Sequence, residues 1–201
     1  MEAPHAPQAP HAPEAPHAPH SPSSRNSPTA DTAATAATVL VTVDSPERMQ
    51  DLGRRIAALL RPGDLVLLTG ELGAGKTTLT RGLGEGLGVR GAVTSPTFVI
   101  ARVHPSLVAG PPLVHVDAYR LGGGLDEMED LDLDVSLPES VVVVEWGDGK
   151  VEDLSEDRLH VVISRAVGHE EVLDDVREVS VRGVGARWAA AELAKLAVAG
   201  A

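Results

Sequence analysis

Leu65-Val66-Leu67-Leu68-Thr69, followed by Gly70-Glu71-Leu72-Gly73-Ala74-Gly75-Lys76-Thr77, is the stretch from which the rest of the chain is read. The first five residues have the apolar character and length of a buried strand. The next eight match G-x-x-x-x-G-K-[ST] in full, and from Thr77 to about Leu87 the residues Leu79, Leu83 and Leu87 recur on one side of a helix. Strand, glycine-rich loop and helix in that order form the setting in which this pattern binds phosphate. Glycines let successive backbone N–H groups turn inward, and the helix N-terminus adds partial positive charge. Lys76 then reaches the β/γ-phosphates while the Thr77 hydroxyl ligates Mg²⁺.

On either side, short apolar strands alternate with helical stretches. Val39–Val43 reads as a strand. Ser45 and Pro46 supply an N-cap and a first-turn proline to a helix whose apolar residues Met49, Leu52, Ile56 and Leu59 run up to Arg61-Pro62-Gly63. Gly82, Gly84 and Gly86 each cost the loop helix about 1 kcal/mol relative to alanine, which points to close packing there. Phe98–Val103, Leu113–Asp117 and Val141–Glu145 read as further strands. Arg158–Ser164 and Val176–Arg182 form an antiparallel pair around a Gly168 turn, and a last helix spans about Ala186–Val198. The pattern predicts an α/β fold of the P-loop NTPase type, a mainly parallel sheet flanked by helices with an antiparallel hairpin on the C-terminal side.

Composition sets the boundaries. Of 201 residues, 15 are proline, and eight of those fall in residues 1–28 beside four of the eight histidines, where APHAPQ, APHAPE and APHAPH repeat. Such a segment favours extended polyproline II over a packed core, so residues 1–38 are expected to be a disordered Pro/His/Ala-rich tail and 39–201 a P-loop domain. Metal capture by His5, His11, His17 and His20 is disfavoured, because an unfolded backbone does not preorganise ligands. The net charge of −12 is the reverse of a nucleic-acid binder's basic footprint. Leu125–Asp134, with six carboxylates, reads as a solvated acidic face. Without a signal peptide, a membrane span or any cysteine, the chain is expected in the cytoplasm and off the membrane.

Phosphate chemistry also needs a carboxylate near the metal and a group that orients the nucleophile. Two apolar runs end in acids, Leu113-Val114-His115-Val116-Asp117 and Val141-Val142-Val143-Val144-Glu145. The carboxyl ends of parallel strands line the ligand crevice, so Asp117 and Glu145 are the catalytic candidates. His115 shares a strand face with Asp117 and reads as a packed, hydrogen-bonded residue rather than a base. Thr94-Ser95-Pro96-Thr97-Phe98 offers hydroxyls on a proline-stiffened turn.

Gly-Glu-Leu-Gly-Ala-Gly-Lys-Thr-Thr at 70–78, Ser-Pro-Thr-Phe at 95–98, His-Val-Asp-Ala-Tyr-Arg-Leu at 115–121 and Glu-Trp-Gly at 145–147, in this order, closely resemble the TsaE family of bacterial ATPases. The resemblance covers about Val39–Arg182 and implies a part in forming N6-threonylcarbamoyladenosine at position 37 of tRNAs that read codons beginning with A. It implies ATP and Mg²⁺ as cofactors, and Gly70, Gly73, Ala74, Gly75, Lys76, Thr77 and Thr78 as nucleotide-binding residues. Thr77 and Glu145 would be metal-side, Asp117 would serve hydrolysis, and Ser95 and Thr97 would form a switch-like segment. Partner subunits of TsaB and TsaD type would hold the tRNA, with ATPase activity weak alone and raised in the complex. Gly168-His169 departs from the family, which usually carries an arginine after the late glycine. Two alternatives stand beside this reading. One is a small-molecule P-loop kinase, which would need lid arginines such as Arg102 or Arg120; the other is an adaptor that binds ATP and hardly hydrolyses it.

Overall fold

The computed structural model describes residues 37–96, 100–120, 131–165, 176–188 and 190–197. Residues 1–36, Thr97, most of the acidic stretch, the side chain of Arg120 and the Gly168-His169 turn lie outside them.

The described strands are β1 (Thr38–Val43), β2 (Leu65–Gly70), β3 (Ala101–His104), β4 (Leu113–Asp117), β5 (Val141–Glu145), β6 (Arg158–Arg165) and β7 (Arg177–Val184). They form one sheet in the order β1-β7-β6-β2-β5-β4-β3. Its centre is parallel: β2 lies between β6 and β5, and β4 runs beside β5. Both margins are antiparallel, β3 against β4 on one side and the β6–β7 pair with β1 on the other. The mainly apolar strands β4 and β5 are buried throughout, His115, Asp117 and Glu145 included, as expected for strands covered on both faces. The half-polar β6 and β7 alternate.

The helices are α1 (Pro46–Ala57), α2 (Lys76–Leu87), α3 (Leu133–Ser136) and α4 (Ala190–Ala197). Ser45 caps α1 as expected, its Oγ accepting from Arg48 N at 3.3 Å, with Pro46 in the first turn. The helix ends at Ala57, earlier than the apolar spacing through Leu59 suggests, because a turn takes over before Pro62. One sheet face packs Leu68, Val143, Val161 and Val181 against Leu52, Ile56, Leu79, Leu83 and Leu193 of α1, α2 and α4. The other buries Leu65, Leu67, Val142 and Val144 under Leu133, Leu137 and Val151. The first layer fixes where α2 starts, and therefore where the loop before it points. α1 and α2 approach so closely that a Cβ added at Gly82 would stand 2.2 Å from the Gln50 carbonyl oxygen, and one at Gly53 2.4 Å from that of Leu79. This is the close packing that the glycines of α2 announce.

β1 begins at Thr38, paired with Arg182, and the Ala37 carbonyl accepts from Gly183 N at 2.9 Å. Regular pairing thus starts one residue before Val39. α4 starts at Ala190 rather than near Ala186, since residues 186–188 form a turn on which Trp188 inserts into the core, 1% exposed. Among the described residues no helix is long and apolar enough to cross a membrane.

Candidate functional site

β2, β4 and β5 all end at the same edge of the sheet, and the loop from Gly70 to Gly75 crosses above them. Gly75 caps α2 with φ 115°, a left-handed conformation open to glycine at little cost, and no side chain bonds to the first-turn N–H groups. The amides at this end are therefore available to an anion, with the helix dipole behind them.

Lys76, the first residue of α2, is 5% exposed. Its Nζ donates to the carbonyls of Gly70 at 2.7 Å and Glu71 at 2.9 Å and stands 3.8 Å from the centroid of the Trp146 ring. Burial holds the ammonium below the usual lysine range, while Glu145 and then Asp117 pull it back up.

Asp117 and Glu145 are register partners on adjacent parallel strands. Both side chains lie on the α2 side of the sheet, because 113, 115 and 117 share one face with 141, 143 and 145. Thr77 Oγ1 donates to Glu145 Oε1 at 3.1 Å, and His115 Nε2 lies 2.9 Å from the same oxygen. Asp117 accepts from Ser95 Oγ at 3.2 Å and from Tyr119 N at 3.1 Å. The motifs separated in sequence thus meet around one cleft of about 430 Å³, which also takes in Gly73, Gly75 and Thr78, a volume suited to a small ligand. Gly70 and Ala74 complete the loop around it. Among the described lining residues there is no arginine. Arg102, a lid candidate in the kinase reading, instead donates to Thr94 Oγ1 at 3.3 Å.

A hydroxyl beside a carboxylate, with a second carboxylate on the next strand, is a hard oxygen donor set of the kind Mg²⁺ takes together with substrate phosphates. Among the described residues no group of three His, Cys, Asp or Glu could hold a metal ion, so a cation here would need Thr77, Glu145 and a phosphate ligand jointly.

Three features escape sequence reasoning. Trp146 sits at φ 61°, unusual for a bulky side chain, and the turn folds its ring back over Lys76; Tyr119 packs against it with ring centroids 5.2 Å apart. The one signal was the concentration of three of the chain's four aromatics within the motifs. The bond from His115 to Glu145 depends on strand register. A smaller pocket of about 130 Å³ lies beside the loop, where Val43, Pro46, Met49 and Arg177 adjoin Gly73, Gly75 and Thr78; Arg177 arrives from β7, a hundred residues downstream, and no local pattern announces it.

Comparison with known proteins points to one family. The family model for the threonylcarbamoyl adenosine biosynthesis protein TsaE matches residues 43–172. The tRNA threonylcarbamoyladenosine biosynthesis protein TsaE of Streptomyces coelicolor is 76% identical over 149 residues, covering 74% of this chain and 99% of that protein. The protein of the same name from Bacillus subtilis is 42% identical over 145 residues, covering 72% and 85%. The crystal structure of Bacillus subtilis YdiB superposes with a TM-score of 0.62 at 34% identity, covering 81% of this chain and 95% of that one.

Proposed function

Because the chain belongs to the TsaE family, we propose that it binds and hydrolyses ATP with Mg²⁺ as a cytoplasmic component of the machinery that forms N6-threonylcarbamoyladenosine at position 37 of tRNA. The observation that carries this reading is the convergence of Lys76, Thr77, Asp117 and Glu145 on one cleft at the carboxyl ends of β2, β4 and β5.

The loop amides and the N-terminus of α2 receive the phosphates. The Lys76 ammonium leaves two neutral carbonyls for anionic oxygens, a stronger charge-assisted contact. Thr77 and Glu145 would hold Mg²⁺, which when bound would neutralise charge on the phosphates. Asp117 serves the attacking water, and its bond from Ser95 ties that role to the switch-like segment to which Thr97 belongs. The smaller pocket offers Val43, Pro46 and Met49 as an apolar wall for the nucleoside end. The acidic chain leaves the tRNA to partner subunits of TsaB and TsaD type. With Lys76 the one cation in the described lining of the cleft, a partner's cation completes the site in trans, an effect worth about 10³-fold or more in related phosphoryl chemistry. Turnover is therefore slow alone and faster with partners. In the domain arrangement we favour, the spacer is residues 1–36, two residues shorter than the sequence boundary at 38, because Ala37 and Thr38 already pair with β7.

The test combines calorimetry with nucleoside mass spectrometry. Lys76→Ala should melt as a folded protein and lose ATP affinity. In cells depleted of the chain, threonylcarbamoyladenosine should fall and return with wild type but not with Lys76→Ala. Unchanged modification after complete depletion would refute the tRNA role, and unchanged affinity in Lys76→Ala would refute the phosphate site.

A further inference from the structure

His115 occupies the middle of β4, 0% exposed, between Val114 and Val116 and two residues from Leu113, all buried. Leucine or phenylalanine would satisfy such a position for packing alone. An imidazole there strips two nitrogens of water, which is unfavourable unless both find partners. Only one does. Nε2 lies 2.9 Å from Glu145 Oε1, while Nδ1 is buried with no hydrogen-bond partner among the described residues. Since an ionised carboxylate can only accept, Nε2 carries the proton, and Nδ1 in the neutral ring is a bare acceptor rather than an orphaned donor. The contact with Glu145 is the one side-chain hydrogen bond the ring makes among the described residues.

That carboxylate is 3% exposed and also faces the Thr77 hydroxyl, with Oγ1 at 3.1 and 3.4 Å from its two oxygens. A buried carboxylate on one strand end, gripped from the neighbouring strand, cannot swing between rotamers. Ligating groups held in this way by an outer hydrogen bond lose about 10- to 100-fold in metal affinity or activity when the outer partner is removed.

We propose that His115 is a positioning residue, whose Nε2–H fixes the Glu145 carboxylate against the Thr77 hydroxyl so that the two oxygens meet a divalent cation as a preformed pair. The inference rests on the assignment of Thr77 and Glu145 to Mg²⁺ made above, and it adds a residue that touches neither nucleotide nor metal.

The test uses the full chain and three variants. His115→Gln keeps a side-chain N–H near the position of Nε2; His115→Leu keeps bulk without a donor; His115→Asn places its amide near Nδ1, out of reach of Glu145. ATP affinity is measured by calorimetry in EDTA and across a MgCl₂ titration, so that each variant's metal-free value is its own reference, and melting temperature reports folding. His115→Leu, or His115→Asn should the leucine variant not fold, is expected to need about tenfold more Mg²⁺ for half of the metal-dependent gain. His115→Gln should return to within about threefold of wild type. A folded donor-less variant with wild-type Mg²⁺ dependence would overturn the proposal, and so would a glutamine variant as impaired as leucine, which would mark the role as packing. Wild-type protein without any Mg²⁺ dependence would instead overturn the metal assignment itself, and this inference with it.

Discussion

Gly82→Ala sets two effects of known sign against each other. Alanine in a helix interior is favoured over glycine by about 1 kcal/mol, so propensity alone predicts a more stable protein. The α1–α2 contact predicts the reverse. A methyl at residue 82 would lie 2.2 Å from the Gln50 carbonyl oxygen and 2.9 Å from Gln50 Cα, roughly 1 Å inside ordinary contact, and both are backbone atoms that cannot rotate aside. The helices would have to part by about that amount, and a gap of 0.5–1 Å forfeits about a quarter to a half of each dispersion contact along the seam. Overpacking of this kind costs about 1–3 kcal/mol or more. With many such contacts along the seam we place it at the upper end, leaving a net loss of about 1–2 kcal/mol. At about 2–4 °C per kcal/mol for a domain of this size, the melting temperature should drop by about 2–8 °C in calorimetry. The loop that opens α2 should move with the helix, so ATP affinity should weaken as well. A Gly82→Ala protein melting at or above the wild-type temperature would refute the close-packing argument.

Three further outcomes follow from the structure. Asp117→Asn and Glu145→Gln should reduce ATP turnover far more than nucleotide affinity, because each removes a charge aimed at metal or water and leaves the loop amides in place; a paired turnover and calorimetry measurement that finds normal rates would remove both from the site. Arg187 bonds the Leu59 carbonyl and Asp64, which is 3% exposed, so Arg187→Met should cost about 3 kcal/mol by leaving a buried carboxylate without its charge partner and with the Arg61 N–H as its remaining described donor. Burial already holds Asp64 above the usual carboxylate range despite the Arg61 N–H and Arg187, and loss of the guanidinium raises it further. A raised acid favours the folded state when protonated, so the deficit in urea unfolding should be largest at neutral pH and shrink as pH falls towards the ordinary carboxylate range; a pH-independent deficit would contradict this. Truncation of residues 1–36, which spares Ala37 and its bond to Gly183, should shift the melting temperature by less than about 2 °C and leave ATP binding intact. A larger drop would show that the tail contributes to the folded domain.

The signals carried by neighbouring residues could be read in advance. The Gly70–Thr77 loop, the Ser45-Pro46 helix start and the apolar runs closing in Asp117 and Glu145 each lie within a dozen residues, where backbone geometry and side-chain period are local properties. The glycines of α2 announced a close neighbour without naming it; that it is the backbone at Gln50 follows only from the packing of α1. Tertiary structure alone decided the sheet order, in which β6 lies parallel beside β2 and β3 runs antiparallel to β4 at the opposite margin. It also brought Asp117 level with Glu145, placed Trp146 over Lys76, set Arg177 beside the loop and gave His115 its partner. These contacts join residues tens of positions apart. They are set by strand register and by the layer of helices on one face, which no window of sequence contains.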